Sequence, residues 1–265
     1  MKRTTILFVF GTILAGLLAG FQRNGSSFIN EKSLEKTTSI SNIDSVGESA
    51  QALESACQAL YDSLHLQSIG LSKDAFRQAW FGFQQEKFSR PILAIVDFSQ
   101  SSRNKRLYIV DFEAKKLVLN TYVAHGRNSG NEFAQKFSNE NSSYQSSLGF
   151  YRALDVYQGK HGLSLKLQGL EKNINDRALE RAIVLHGADY VSESFIRQTG
   201  RLGRSLGCPA VSYADHKVVI ETLRNGAGMF LYYPDDSYVA LSKLLQKASN
   251  VSQGFAAATS FASSK

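Results

Sequence analysis

Apolar positions along the chain change period several times, and each change marks an element. Ile6 to Leu18 is almost continuously apolar behind a basic start at Lys2 and Arg3, with the small residues Ala19 and Gly20 following. This is the build of an export signal; a run of ~13 residues is short of the ~20 that a spanning helix needs. Gln22 to Asp44 is rich in Ser, Asn, Thr and Lys and has no period, so it reads as a tether. From Val46 the apolar residues Val46, Ala50, Leu53, Cys57, Leu60 and Leu64 alternate spacings of four and three, which lays one stripe along a helix. A second helix is predicted from Ser72 as N-cap to about Phe88, with Phe76, Trp80 and Phe83 on one side and Pro91 beyond its end. The two helices read as a hairpin laid against the domain that begins at Pro91, with a separate binding module as the alternative.

At Ile92 the period becomes two. Strands are predicted at Ile92 to Ser99, Arg106 to Phe112 and Leu117 to Ala124, divided by polar turns. Gly126 to about Gln145 has neither period nor apolar content, which marks either a solvated loop or a lid. Further strands come at Leu148 to Tyr157, Leu163 to Leu167 and Ala182 to Leu185, with a short helix capped by Asn175 or Asp176 and running to Arg181. Asp215 to Arg224 reads as a helix closed by Asn225-Gly226, Met229 to Tyr233 as a strand stopped by Pro234, and Tyr238 to Leu245 as a last helix. The fold class is therefore mostly β, α+β overall, with helices at both ends. The domain reading is a signal or anchor at 1–22, a tether at 23–44, a helical region at 45–90, a mainly β domain at 91–247 and a Ser/Ala-rich disordered tail at 248–265.

Composition narrows the partners only slightly. The 265 residues carry 30 basic and 23 acidic side chains, a net charge of +7. The basic residues are scattered and the aromatics sit at core periods, so no nucleic-acid partner is expected. A positive balance suits an anionic polymer and plain solubility equally. Two cysteines, Cys57 and Cys208, are what one disulfide needs, and exported proteins live where disulfides persist. The competing reading, taken here, is that Cys57 is a small buried residue on its helix stripe while Cys208 keeps an exposed thiol.

That thiol ends the stretch with the most chemistry, Arg181 to Val211. The apolar run at its start delivers His186 at a strand end, and Gly187 permits a sharp exit. Gly200, Gly203 and Gly207 let the chain fold tightly before Cys208. A thiolate is a nucleophile and an imidazole can take its proton, so Cys208 and His186 form a candidate acyl-transfer pair, with the thiol expected to titrate below the ~8.5 of free cysteine. Backbone N–H groups at Gly207 and Cys208 are the candidate oxyanion donors. Ser205 is a candidate partner of the histidine or of the loop. Gly187, Tyr190, Arg201 and Arg204 complete the candidate set as substrate-binding residues, the two arginines through bidentate bonds to carboxylates. A zinc site from His186, Cys208 and His216 is the competing chemistry, although no close HxxxH or CxxC pair anchors it. No metal or cofactor is expected.

The His186-Gly187 and Ser205-Leu206-Gly207-Cys208 segments resemble the signature of the L,D-transpeptidases of bacterial cell-wall synthesis, specifically the murein L,D-transpeptidase catalytic-domain subgroup. The resemblance extends to V-A-H-G-R-N-S-G (Val123 to Gly130), S-S-L-G-F-Y (Ser146 to Tyr151) and G-K-H-G-L-S-L-K-L (Gly159 to Leu167), and so covers roughly Pro91 to Pro234. Two positions depart from the broader family: Ala210 stands where an arginine is usual, and Leu206 where an aromatic or basic residue is frequent. Contacts assigned to that arginine do not carry over. The resemblance implies a β sandwich or barrel and a periplasmic or cell-envelope enzyme that forms a thioester at Cys208 with peptidoglycan stem peptides, releasing terminal D-alanine. It leaves open whether the acceptor is an amine or, in an L,D-carboxypeptidase, water. A catalytically inactive wall-binding protein is the other alternative, and the N-terminal segment is a candidate membrane tether.

Overall fold

The computed structural model describes residues 51–246. The export segment, the tether, the first turn of the first helix and the C-terminal tail read from the sequence lie outside these residues.

Residues 51–63 form helix α1, a 3-10 turn follows at Leu66–Ile69, and α2 spans Lys73–Gln85. Ser72 caps α2 as its residue type predicts, its side chain accepting from the Ala75 N–H at 3.1 Å. The helix stops three residues short of the predicted Phe88 because Glu86 already has extended backbone angles. Eight strands come next: β1 (Ile92–Asp97), β2 (Leu107–Asp111), β3 (Lys116–Thr121), β4 (Gly149–Gly159), β5 (Gly162–Gly169), β6 (Val184–Gly187), β7 (Ala210–Val211) and β8 (Gly228–Tyr232). Helix α3 (Glu193–Thr199) lies between β6 and β7, α4 (His216–Leu223) between β7 and β8, and α5 (Asp236–Leu241) after β8.

All eight strands belong to one sheet, in the order β3-β2-β1-β8-β4-β5-β6-β7. Neighbours are antiparallel except β1 with β8 and β6 with β7. Just past β3, Ala124 bridges to Ala210 of β7, and Gly126 bridges to Ser205, so the two outer strands are drawn together. The sheet is thereby a nearly closed, barrel-like layer. Closure matters for the site, because it brings the chain leaving β3 against the chain entering β7.

The burial of β1 explains why its sequence, ILAIVD, does not alternate: both faces are covered. Ala94 and Val96 face an interior cluster with Ile109, Leu165, Leu185 and Met229, into which α4 inserts Val219, Ile220 and Leu223. Leu93 and Ile95 face the opposite way, toward Phe76 and Ala79 of α2 and Leu60 and Tyr61 of α1. At Gly82 α2 lies directly on the sheet, since a Cβ there would lie 2.0 Å from the Phe150 ring. The two N-terminal helices thus cover the outer face of β1, β2, β4 and β8.

Three local readings need correction. Asn175 and Asp176 do not cap a helix; residues 171–182 are a series of turns. Asn175 instead ties this segment to β4, its Nδ2 donating to Leu148 O at 2.9 Å and Phe150 O at 3.0 Å. Ala182, read as the first strand residue, has φ 53 and so lies outside β6. Helix α3 went unread, although Ser192 caps it and Gly200 closes it in the left-handed region. Among the described residues no helix is long and apolar enough to cross a membrane, and both cysteines are free thiols, which sets aside the Cys57–Cys208 bridge.

Candidate active site

β6 carries His186 to the end of its strand, and β7 pairs with it in parallel, His186 opposite Ala210. Two residues earlier in each segment, just before β7, Cys208 lies beside Val184 of β6, whose N–H points to Sγ at 3.5 Å. The sulfur is 3.8 Å from Ala182 O. His186 Nδ1 is 2.9 Å from Gly187 O. A carbonyl can only accept, so Nδ1 carries the proton and Nε2 is the basic nitrogen. A main-chain carbonyl, rather than Asp189, orients the ring.

The loop that presents the thiol is fixed by Ser205. Its Oγ donates to Cys208 O at 2.6 Å and accepts from the Gly207 N–H at 3.0 Å. Gly207 has φ 125, and a Cβ on it would lie 2.9 Å from Gln145 O, so both backbone angle and space demand glycine. Ser205 therefore partners the loop and not the histidine. The Gly207 N–H is occupied by this bond, whereas the Cys208 N–H makes no hydrogen bond among the described residues.

Electrostatics alter one expectation. Burial pushes the Cys208 thiol up, against the smaller opposing effects of the Val184 N–H, Arg181 and Lys160. Burial likewise pushes His186 down, with His161 and Lys160 adding to the decrease against the Gly187 carbonyl. The direction is opposite to the lowered thiol expected from the sequence: burial favours the uncharged form of each group.

The remaining candidates take distinct places. Gly187 is buried, and a Cβ there would meet the Tyr213 ring at 2.6 Å, so its contribution is the carbonyl that orients His186. Tyr190 packs against Gly203 and is raised by burial and, next, by Cys208, which places its ring near the thiol. Arg201 donates to Leu202 O at 2.6 Å. Arg204 donates from Nη1 to Arg127 O, Gly130 O and Asn131 Oδ1 at 2.9 to 3.0 Å. Arg204 thus ties its loop to the 127–131 segment, Arg201 bonds only the adjacent residue, and the cations acting on Cys208 are Arg181 and Lys160. Among the described residues no group of three or more His, Cys, Asp or Glu side chains could hold a metal, so the His186, Cys208, His216 set does not assemble.

Arg181 is the main residue that sequence reasoning missed. Its Nη1 donates to Ser138 O (2.8 Å) and Ser147 Oγ (2.5 Å), its Nη2 to Ser143 Oγ (3.2 Å) and Gln145 O (2.7 Å). It pins the long segment after Gly126 beside the loop that carries Cys208. Ser146 adds a second tie, donating to Gly207 O at 3.1 Å while accepting from the Gly126 N–H. That stretch is consequently fastened to the site and is neither freely solvated nor a loose lid. The available signal was a run of serines facing an arginine at the head of the Arg181 to Val211 stretch. His161, also unread, stacks on His186 with ring centroids 4.3 Å apart and planes at 20°.

A family model for the L,D-transpeptidase catalytic domain matches residues 67–232, more than half of the chain. No curated protein sequence matches it. Similar solved structures include an L,D-transpeptidase from Mycobacterium smegmatis, at 10% identity and TM-score 0.35 over 54% of this chain and 59% of that one. The helical cell shape determining protein Pgp2 (K307A mutant) from Campylobacter jejuni is similar at 12% identity and TM-score 0.40, over 66% and 59%. An L,D-transpeptidase fragment from Xylanimonas cellulosilytica is similar at 15% identity and TM-score 0.32, over 68% and 93%. The chain spans about three fifths of the length of the first two.

Proposed function

Because the chain belongs to the L,D-transpeptidase catalytic domain family, we propose that it is an exported cysteine acyltransferase acting on peptidoglycan stem peptides. The observation that supports this reading is the pairing of β6, which carries His186, with β7, which begins two residues after Cys208, while Gly187 O leaves His186 Nε2 basic.

In this mechanism the Cys208 sulfur attacks the carbonyl joining diaminopimelate to the terminal D-alanine of a tetrapeptide stem. The thiol proton passes to His186 Nε2 as the C–S bond forms, because the resting thiol is not ionised. The Cys208 N–H is the oxyanion donor, and one such donor is worth ~3 kcal/mol of transition-state stabilisation. Collapse breaks the C–N bond, and the imidazolium returns its proton to the departing amine of D-alanine. An acceptor amine, delivered by a second stem, then attacks the thioester and restores the thiol. The ties from Arg181 and Ser146 keep the nucleophile loop and the long segment as one wall of the site.

The test is incubation of the mature protein with purified disaccharide tetrapeptides, followed by mass analysis. Cross-linked dimer with free D-alanine is expected. Tripeptide as the main product would make water the acceptor and the protein an L,D-carboxypeptidase. No D-alanine release would overturn the acyltransferase reading in favour of wall binding.

A further inference from the structure

The family arginine is missing at Ala210, and Arg201 and Arg204 are bonded to backbone carbonyls, which leaves open what meets the negative charge of a stem peptide. Two cations act on Cys208, Arg181 and Lys160. Both terminal nitrogens of Arg181 are already bonded to the 138–147 segment. Lys160 is different: it is exposed, and its ammonium makes neither an ion pair nor a hydrogen bond among the described residues.

The fold explains why a lysine so exposed still reaches the site. β4 and β5 pair to the end, Gly159 opposite Gly162, so Lys160 and His161 form a two-residue tip, with Gly162 at φ 74 turning the chain back. β5 in turn pairs with β6, placing Ser164 opposite His186. The tip therefore projects past the end of β6, and His161 closes over the catalytic imidazole in the 4.3 Å stack. Lys160 acts on both Cys208 and His186 as a consequence.

We infer that the β4–β5 hairpin tip is the carboxylate-recognition element of this site: Lys160 binds the terminal carboxylate of the donor peptide, and His161, stacked on His186, is the positioning residue that holds the tip in place. The identification of the anion as a peptide carboxylate rests on the acyltransferase reading; the anion-binding role does not. A compact, rotatable ammonium suits a terminal carboxylate that enters and leaves each turnover.

The experiment compares alkylation of Cys208 in the full mature chain by iodoacetate and by iodoacetamide, which share a reaction and differ in charge. A cation at the site raises the iodoacetate to iodoacetamide rate ratio. Lys160→Met is expected to lower that ratio by roughly 3- to 10-fold and Lys160→Glu to lower it further, while Lys73→Met, on α2, leaves it unchanged. His161→Ala is expected to lower it although Lys160 is retained. A ratio for Lys160→Glu within about 2-fold of wild type overturns the anion site, and an unchanged ratio in His161→Ala overturns the positioning role. With tetrapeptide, Lys160→Met should raise KM by about 10-fold or more with little change in kcat, and a tetrapeptide with an amidated C-terminus should not distinguish variant from wild type. A wild-type protein inert toward tetrapeptide would sink the acyltransferase reading, while the alkylation ratio would still decide the role of Lys160.

Discussion

Replacing Ser205 by alanine separates a residue that builds the site from one that moves protons. The serine is buried, and its hydroxyl serves two groups at once, donating to Cys208 O and accepting from the Gly207 N–H. Alanine leaves a buried amide with no partner and a half-buried carbonyl reduced to whatever water can reach it. An orphaned buried polar group costs about 1–3 kcal/mol, so the pair amounts to about 2–4 kcal/mol, the carbonyl contributing the smaller share. The freed Gly207 N–H also loosens the turn that aims the sulfur, and misplacement of a nucleophile by an ångström costs on the order of 100-fold in kcat. Neither loss touches His186, whose ring is held by Gly187 O. Denaturant unfolding measures the first effect, and D-alanine release from tetrapeptide as a function of pH measures the second. The expected profile is scaled down with its acid limb in the wild-type position. A shift of that limb, or stability within about 0.5 kcal/mol of wild type, would refute the assignment of Ser205 to the loop.

Cys208→Ala should abolish turnover, whereas Cys57→Ala should leave kcat near wild type and cost about 1–2 kcal/mol in unfolding free energy, because Cys57 is buried against the helical layer. Iodoacetamide alkylation of Cys208 should follow a single titration above the ~8.5 of a free thiol, with no plateau at low pH, and His186→Gln should leave that profile nearly unchanged while lowering turnover by about 100-fold or more; a low-pH plateau lost in the variant would show a thiolate–imidazolium pair instead. The acid limb of turnover should fall below pH ~6.5, since burial depresses His186. His125 is buried, accepts from Arg106 Nη2 at 2.7 Å, and is pushed down to about 3 by burial and then by Arg106. Its neutral form contributes stability present above pH ~6.5 and lost as pH falls toward 3, with a slope of up to about 1.4 kcal/mol per pH unit that His125→Asn should flatten in urea titrations.

Legibility in the sequence tracks which forces are local. The α2 cap at Ser72, the strands of the first meander and the helix before Asn225-Gly226 are each set by a period and a punctuating residue within a dozen positions. The segment 171–182 misled because Asn175 carries a good capping side chain that here reaches across to Leu148 O and Phe150 O, partners far away in the chain. β7 is two residues long and exists only because Ala124 and His186 flank Ala210, so no window of sequence contains its cause. Closure of the sheet between the chain ends of β3 and β7 is invisible for the same reason.

The site divides along the same line. Cys208, His186 and the glycines between them share one stretch, and their residue types announce a nucleophile, a base and a tight turn. Their protonation states depend on burial by the whole sheet, which is why a thiol beside a histidine suggested a lowered pKa and the folded protein raises it. His161 reaches the imidazole from a hairpin tip fixed by strand pairing, and Arg181 acts on the thiol from a turn whose place depends on bonds to residues some forty positions earlier. Positive charge can therefore come to the site from neighbouring strand ends, not only from the stretch that holds Cys208 and His186. Among the described residues, Lys160 is a cation with no ion pair that the register of β4, β5 and β6 brings to the strand end beside His186.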